Sequence, residues 1–259
     1  MGQSIHHYLT WSGSQRYSIF NYPIIRLLCT VVNTTRILVT IADQLLEITI
    51  PLGKRTKISN STITLYDEMV EKSVSLNDLP YSKNLDERVT FLKGMYEYAR
   101  DQPGLVQVWK GPTLKHRGQY QVMLKTRGVR RQPVDEQDLC EMVRCVLLGL
   151  KRLHNGGYVH RDIRIPNILY VPGGSFGGLY VLIDFEHGGY DGELMKMKEL
   201  RGWDEGTLDD NGQYTTQSDL YELGKMLEEF HNLSNEGRDL KRKCMTAAQA
   251  LNHIWIKGL

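Results

Sequence analysis

The run VDEQDLCEMVRCVLLGLKRLHNGG, residues 134–157, restricts this chain more than any other. Leu139, Met142, Val143, Val146, Leu147, Leu150 and Leu153 recur three or four residues apart, which places them on one face of an α-helix. Asp135 stands where it can cap the first turn, and Gly156 stands at the C′ position where the chain should reverse. An apolar face of that length has to be covered by other elements, so the helix is expected to organise an α-rich lobe. The chain before it reads differently. RILVTI (36–41), LLEITI (45–50) and STITLYD (61–67) are short runs rich in β-branched residues, separated by ADQ and PLGKRTKISN, and they predict an antiparallel sheet. After Pro80, Leu85, Val89, Leu92 and Tyr96 predict one helix of about four turns, starting near Asn84 and stopping at RDQPG. Two more strand-like runs follow, LVQVW (105–109) and YQVMLK (120–125). Past the long helix come YVLID as a strand, TQSDLYELGKMLEEFHN as a helix and TAAQALNHIWI as a last helix. The expectation is an α+β, two-lobed chain: a small antiparallel-sheet lobe with one helix over 1–123, and a mainly helical lobe over 124–259.

With 259 residues, 41% apolar and 24% charged, the chain is long and apolar enough for a packed core. A formal charge of +2 gives no global pull toward nucleic acid or an anionic membrane, so neither is expected as a partner. Cys29, Cys140, Cys145 and Cys244 form no CxxC pair, which reads as buried thiols in a reducing, intracellular compartment without structural zinc. The longest apolar stretch, YPIIRLLCTVV, is broken by Arg26 and falls short of the ~18 residues of a membrane span. Met1-Gly2 is followed by His6 where a myristoylation motif has Ser or Thr, and no signal-peptide pattern is present.

Chemistry is concentrated in GGYVHRDIRIPNILY, residues 156–170. Phosphoryl transfer needs a base to orient the attacking hydroxyl, a cation against the transferred group, and oxygen ligands for a divalent metal. Asp162 is the candidate base, Arg164 the candidate cation, and Asn167 with Asp184 the candidate metal ligands. These lie five and 22 residues beyond Asp162, and they can converge if ILYVPGGSFGGLYVLI forms a hairpin between them.

HRDIRIPN and IDFE resemble the catalytic loop and the metal-binding loop of the protein kinase superfamily, whose signatures read HRDLxxxN and DFG. TTQSDLYELGKML is similar to the buried helix after a kinase activation segment, with Asp219 in place of the acid that steadies the catalytic loop. LKRKCMTAAQALNHIWI is similar to the end of a kinase C-lobe. The resemblance runs in order from roughly residue 120 to residue 259. It implies ATP and Mg2+ as cofactors, a protein hydroxyl as acceptor with Ser or Thr ahead of Tyr, and Met123 near the back of the adenine pocket with hinge contacts from Leu124 to Thr126. It also implies a strand lysine for the α- and β-phosphates, read as Lys72 with Lys54 and Lys57 as rivals, and a helix acid to hold it, read as Glu87 with Glu97 as rival. Arg161 would pair with a phosphorylated activation segment. The short C-lobe and the HRDIRxPN wording are also similar to kinase domains of fungal and oomycete proteins, including Crinkler-type effectors.

Two departures keep other functions open. No GxGxxG is present, and the ADQ turn at 42–44 stands where a glycine loop should cover phosphates, as in a pseudokinase that only binds or scaffolds. Glu186 replaces the glycine of DFG, as in choline kinases and other small-molecule phosphotransferases.

Overall fold

The computed structural model describes residues 27, 30–35, 55–58, 61–66, 69–76, 84–115, 118–172, 180–195, 203–242 and 245–258. The chain divides into two compact units, Met1–Ile50 and Pro51–Leu259. In the first, residues 27 and 30–35 are helical. The strands expected at 36–41 and 45–50, and the ADQ turn between them, lie outside the described residues.

The second unit opens with an antiparallel sheet of five strands, β1 (Arg55–Ile58), β2 (Ser61–Leu65), β3 (Val70–Ser75), β4 (Val108–Leu114) and β5 (Gln119–Leu124), in the order β1-β2-β3-β5-β4. β1 lies where the sequence suggested only a connection. It is a polar edge strand with exposed side chains at 55–57, and such a strand needs no apolar alternation to form. Along β3 and the residue after it, Lys72, Val74 and Leu76 are buried while Glu71, Ser73 and Ser75 are not, the period of two that a half-covered strand imposes. β5 pairs Val122 with Lys72 and Tyr120 with Val74, so Tyr120, Val122 and Leu124 share the inward face with the lysine.

Helix α1 (Leu85–Tyr98) connects β3 to β4. Asn84 caps it, its Oδ1 accepting from the amides of Asp86 (3.1 Å) and Glu87 (3.3 Å). Its buried face is Arg88, Val89, Leu92, Met95 and Tyr96. The predicted long helix is α2 (Glu136–Asn155), capped by Asp135 Oδ1 accepting from Asp138 N at 2.8 Å. All seven apolar positions read from its sequence are buried. The chain reversal after α2 corrects the expectation for Gly156, whose φ is −93°. Gly157, at φ 72°, makes the turn. Gly156 is needed for another reason, since a Cβ there would lie 2.4 Å from the Tyr98 ring.

After α2 come β6 (Tyr158–Val159), β7 (Ile168–Tyr170), β8 (Tyr180–Leu182), β9 (Gly189–Tyr190), β10 (Glu193–Leu194) and β11 (Gln213–Tyr214). Four helices close the unit, α3 (Thr216–Leu227), α4 (Asn235–Arg242), α5 (Ala247–Ala250) and α6 (Ile254–Lys257). α2 packs on β8, α5 and α6, and Trp255 Nε1 donates to Glu136 Oε1 at 2.8 Å to close that seam. Among the described residues no helix is long and apolar enough to cross a membrane. Cys140 and Cys145 are buried free thiols, and burial pushes them up to about 12 and about 11.

Candidate active site

The hairpin anticipated after Asn167 forms, with β7 pairing β8 as Ile168↔Leu182, Leu169↔Val181 and Tyr170↔Tyr180. Its tip, 173–179, lies outside the described residues. The ladder continues past the strands, where Ile183 N donates to Asn167 O at 2.9 Å. That bond brings Asn167 next to the segment carrying Asp184, which local sequence spacing alone could not guarantee.

The loop from His160 to Asn167 is held mainly by two acids of α3. Asp219, fully buried, accepts from His160 N (2.9 Å to Oδ2), Arg161 N (2.9 Å), the Tyr214 hydroxyl (2.8 Å) and His154 Nε2 (2.9 Å). Burial alone would raise the Asp219 carboxyl, but His154, His160 and these donors hold it below the usual range. Glu222, one turn further along α3, accepts from Ile163 N at 2.9 Å, and its Oε2 lies 3.0 Å from the oxygen of the same Tyr214 hydroxyl. Here burial wins, and the carboxyl is pushed up to about 8. His160 is fully enclosed, Nε2 bonding to Ile183 O (2.8 Å) and Nδ1 accepting from Asp162 N (3.3 Å), a packing role that fixes its tautomer. Arg161 sits at φ 69°, a left-handed conformation that costs a β-carbon residue on the order of 1–3 kcal/mol, and its guanidinium reaches Glu193 at 2.8 Å.

Asp162, Arg164 and Asn167 converge. Asn167 Nδ2 donates to Asp162 Oδ2 (2.6 Å) and to its backbone oxygen (2.9 Å), so the amide has its carbonyl Oδ1 to offer a metal. Arg164 clasps the same carboxylate through Nε to Oδ1 (2.8 Å) and Nη2 to Oδ2 (3.0 Å). On the sheet, Lys72 is 6% exposed, with Nζ 2.6 Å from Asp184 Oδ1 and 2.9 Å from Glu186 Oε2. Burial works against the ammonium charge, but Glu186 and Asp184 outweigh it and hold Lys72 well above the usual lysine range. Asp184, opposed by burial and held by Lys72, lies below the usual carboxylate range and is therefore charged. Its backbone is also left-handed, φ 70° and ψ 61°. Lys57, a rival for the lysine role, is exposed on β1, and Lys54 lies outside the described residues.

Two sequence expectations are corrected. Glu87 does not meet Lys72: it is exposed in the first turn of α1, as Glu97 is near its end, where it pairs with Arg100 at 2.6 Å. The buried residue beside Glu87 is Arg88, whose Nη2 donates to Glu186 O (2.6 Å) and Gly188 O (2.8 Å). Met123 pairs with Glu71 and so takes the opposite face of the sheet from Lys72, while Leu124, buried, takes the lysine's face. The segment after it is tied to Gln107: Lys125 N donates to Gln107 O at 2.8 Å, and Thr126 Oγ1 accepts from Gln107 N at 2.7 Å.

Sequence reasoning missed Arg88, Tyr120 and Glu222. For Glu222 a signal existed, because it lies three residues after Asp219 and therefore on the same helical face. Nothing local marks the other two.

The α+β architecture, with a five-stranded antiparallel sheet and a helical part behind a loop-built site, is compatible with a two-lobed kinase-like fold. No family model matches the chain. Part of it is similar to a serine/threonine-protein kinase of Caenorhabditis elegans named cst-1, 33% identical over 103 residues, which are 37% of this chain and 19% of that protein. A shorter stretch is similar to a probable serine/threonine-protein kinase of Dictyostelium discoideum named fhkB, 48% identical over 42 residues, 16% of this chain and 4% of that protein. The matches thus span less than a fifth of either relative, and neither relative is fungal or oomycete.

Proposed function

We propose that this chain is a protein kinase that transfers the γ-phosphate of ATP to a protein hydroxyl, Ser or Thr ahead of Tyr. The observation that carries the reading is that Asp162 bonds to Asn167 and Lys72 to Asp184, with the two pairs joined through the bond from Ile183 N, the residue before Asp184, to Asn167 O. Both partial relatives are named as serine/threonine-protein kinases, which favours Ser or Thr as acceptor.

Asn167 Oδ1 and the charged Asp184 carboxylate are hard oxygen donors and fit Mg2+, which usually takes one or two protein oxygens and completes its shell with phosphates and water. Among the described residues no cluster of three His, Cys, Asp or Glu could hold a metal without such help. When bound, Mg2+ would neutralise charge on the phosphates. The chain's own residues do the rest. Lys72 pairs with the nucleotide phosphates. The acceptor hydroxyl donates to the Asp162 carboxylate where Arg164 now rests, and Arg164, its side chain 47% exposed, turns toward the transferring group. The hydroxyl oxygen bonds to the γ-phosphorus as the bond to the bridging oxygen breaks, the proton passes to Asp162, and ADP leaves.

One observation favours a second reading, a binding or scaffolding module. Lys72 is already neutralised by two carboxylates, which leaves its ammonium little unopposed charge for phosphate. Thermal-shift titration with ATP and Mg2+ separates the two, because a ligand that binds the folded state raises the Tm. Turnover of ATP on peptide or protein that is abolished in Asp162→Ala, with nucleotide binding retained, supports the kinase. Binding with no turnover on any hydroxyl acceptor refutes it.

A further inference from the structure

Glu186 breaks the motif that the metal-binding loop otherwise follows, and its surroundings show what it touches. The residue is 4% exposed. Oε2 faces Lys72 Nζ at 2.9 Å, and Oε1 accepts a hydrogen bond from the Tyr120 hydroxyl of β5. A carboxylate so buried must be paired or neutralised, and here it has both an ammonium and a phenol. Lys72 in turn has two carboxylates, and they differ in what else is asked of them. Asp184 is the acid that a metal would recruit, whereas Glu186 points its two oxygens into the sheet.

Helix α1 supplies no acid to this cluster, since Glu87 and Glu97 are exposed. It supplies Arg88, which binds the backbone oxygens of Glu186 and Gly188. The Phe185 ring, just before Glu186, packs on Tyr96 of the same helix, centroids 4.8 Å apart. The helix therefore grips the loop, and the loop grips the lysine.

We propose that Glu186 is the positioning residue for Lys72: it keeps the ammonium aimed at the nucleotide phosphates from within the metal-binding loop itself, with Tyr120 and Arg88 fixing its carboxylate and its backbone. The claim rests on the phosphotransfer reading only insofar as Lys72 meets phosphate. Its consequence is that the lysine–carboxylate pair does not depend on swinging an acid of α1 into place. That pair is set as soon as the loop folds.

The test compares ATP and ADP binding by calorimetry, in EDTA so that no metal contributes, for the wild type, Glu186→Gln, Lys72→Met, the double variant and Glu87→Ala. Glu186→Gln should raise Kd about tenfold, and the double variant should bind no worse than Lys72→Met alone, because the two residues act as one unit. Glu87→Ala should stay within about twofold of the wild type. Where transfer is measurable, Glu186→Gln should raise the KM for ATP more than it lowers kcat, and Glu186→Asp should recover part of the loss. Should Glu186→Gln lose its near-ultraviolet dichroism, Tyr120→Phe keeps the charge and removes only the phenol, and should weaken binding about threefold. Wild-type affinity in Glu186→Gln or in a folded Tyr120→Phe, fully multiplicative losses in the double variant, a large loss in Glu87→Ala, or a wild type that binds no nucleotide would each overturn the proposal. A wild type that binds ATP yet transfers nothing sinks the kinase reading alone, and the Kd comparison still decides this one.

Discussion

Replacing Glu222 by Gln should make the protein more stable above neutral pH, by an amount set by the burial of its carboxyl. Glu222 is 7% exposed, and its neighbours are the Asp219 carboxylate, the Tyr214 hydroxyl and the Ile163 amide. The ordinary glutamate value is 4.5, and in the fold the carboxyl is pushed up to about 8. Between those values the folded state holds a proton that the unfolded state has released, so stability falls as pH rises, by about 1.4 kcal/mol per pH unit from this group. From below pH 4.5 to pH 7 the loss is about 3 kcal/mol, and it levels off once the folded group ionises. Asp219 runs the other way, since its folded value is depressed and its contribution is lost only under acid conditions. The glutamine side chain would copy the neutral carboxyl, its amide oxygen still accepting from Ile163 N. Urea denaturation of wild type and Glu222→Gln at intervals from pH 5.5 to 9 isolates the group, because every other titration cancels in the difference. The stability gap should open by about 1.4 kcal/mol per unit up to roughly pH 8 and then stay flat. Parallel curves, or a variant less stable at every pH, would refute the assignment of a neutral buried acid behind the His160–Asn167 loop.

Other perturbations test other joints of the structure. Asp219→Ala strips a buried acceptor from the His160 and Arg161 amides and the Tyr214 hydroxyl, and should cost about 3–5 kcal/mol in chemical denaturation; a loss under 1 kcal/mol would contradict its bracing role. Gly104→Ala would place a Cβ 1.9 Å from Cys145 O at a φ of +76°, and should lower Tm by roughly 10 °C or prevent folding; an unchanged Tm would mean that the approach of this turn to α2 is wrong. Asn84→Ala should remove about 1 kcal/mol through the lost cap of α1, seen as faster amide exchange confined to the first turn of that helix.

How much the sequence told depended on the range over which each feature is decided. Helix α2 could be read in full, cap and buried face included, because a period of three to four residues and a capping aspartate act within a few turns. Asn84 at the head of α1, the hairpin joining Asn167 to Asp184 and the placement of Asp219 were legible for the same reason, or because ordered motifs carried them. Strand β1 was missed, since a polar edge strand has no local signature. The turn after α2 was assigned to the wrong one of two adjacent glycines, because spacing cannot tell which of two neighbouring glycines takes the left-handed conformation; Gly156 instead makes room for the Tyr98 ring of α1.

The sequence by itself determined the chemistry available at the site: an acid, an arginine and an amide on one loop, and a second acid beyond a hairpin. Only the tertiary structure decided which carboxylate neutralises Lys72, because that choice is made between residues 112 or more positions apart, by strand parity and by the seating of one buried loop against α1. Parity turned Lys72 inward and Met123 away, and the exposure of Glu87 left Glu186 as the glutamate within reach, beside Asp184. Spacing along a chain cannot rank two glutamates for one ammonium; desolvation and distance in the folded state do.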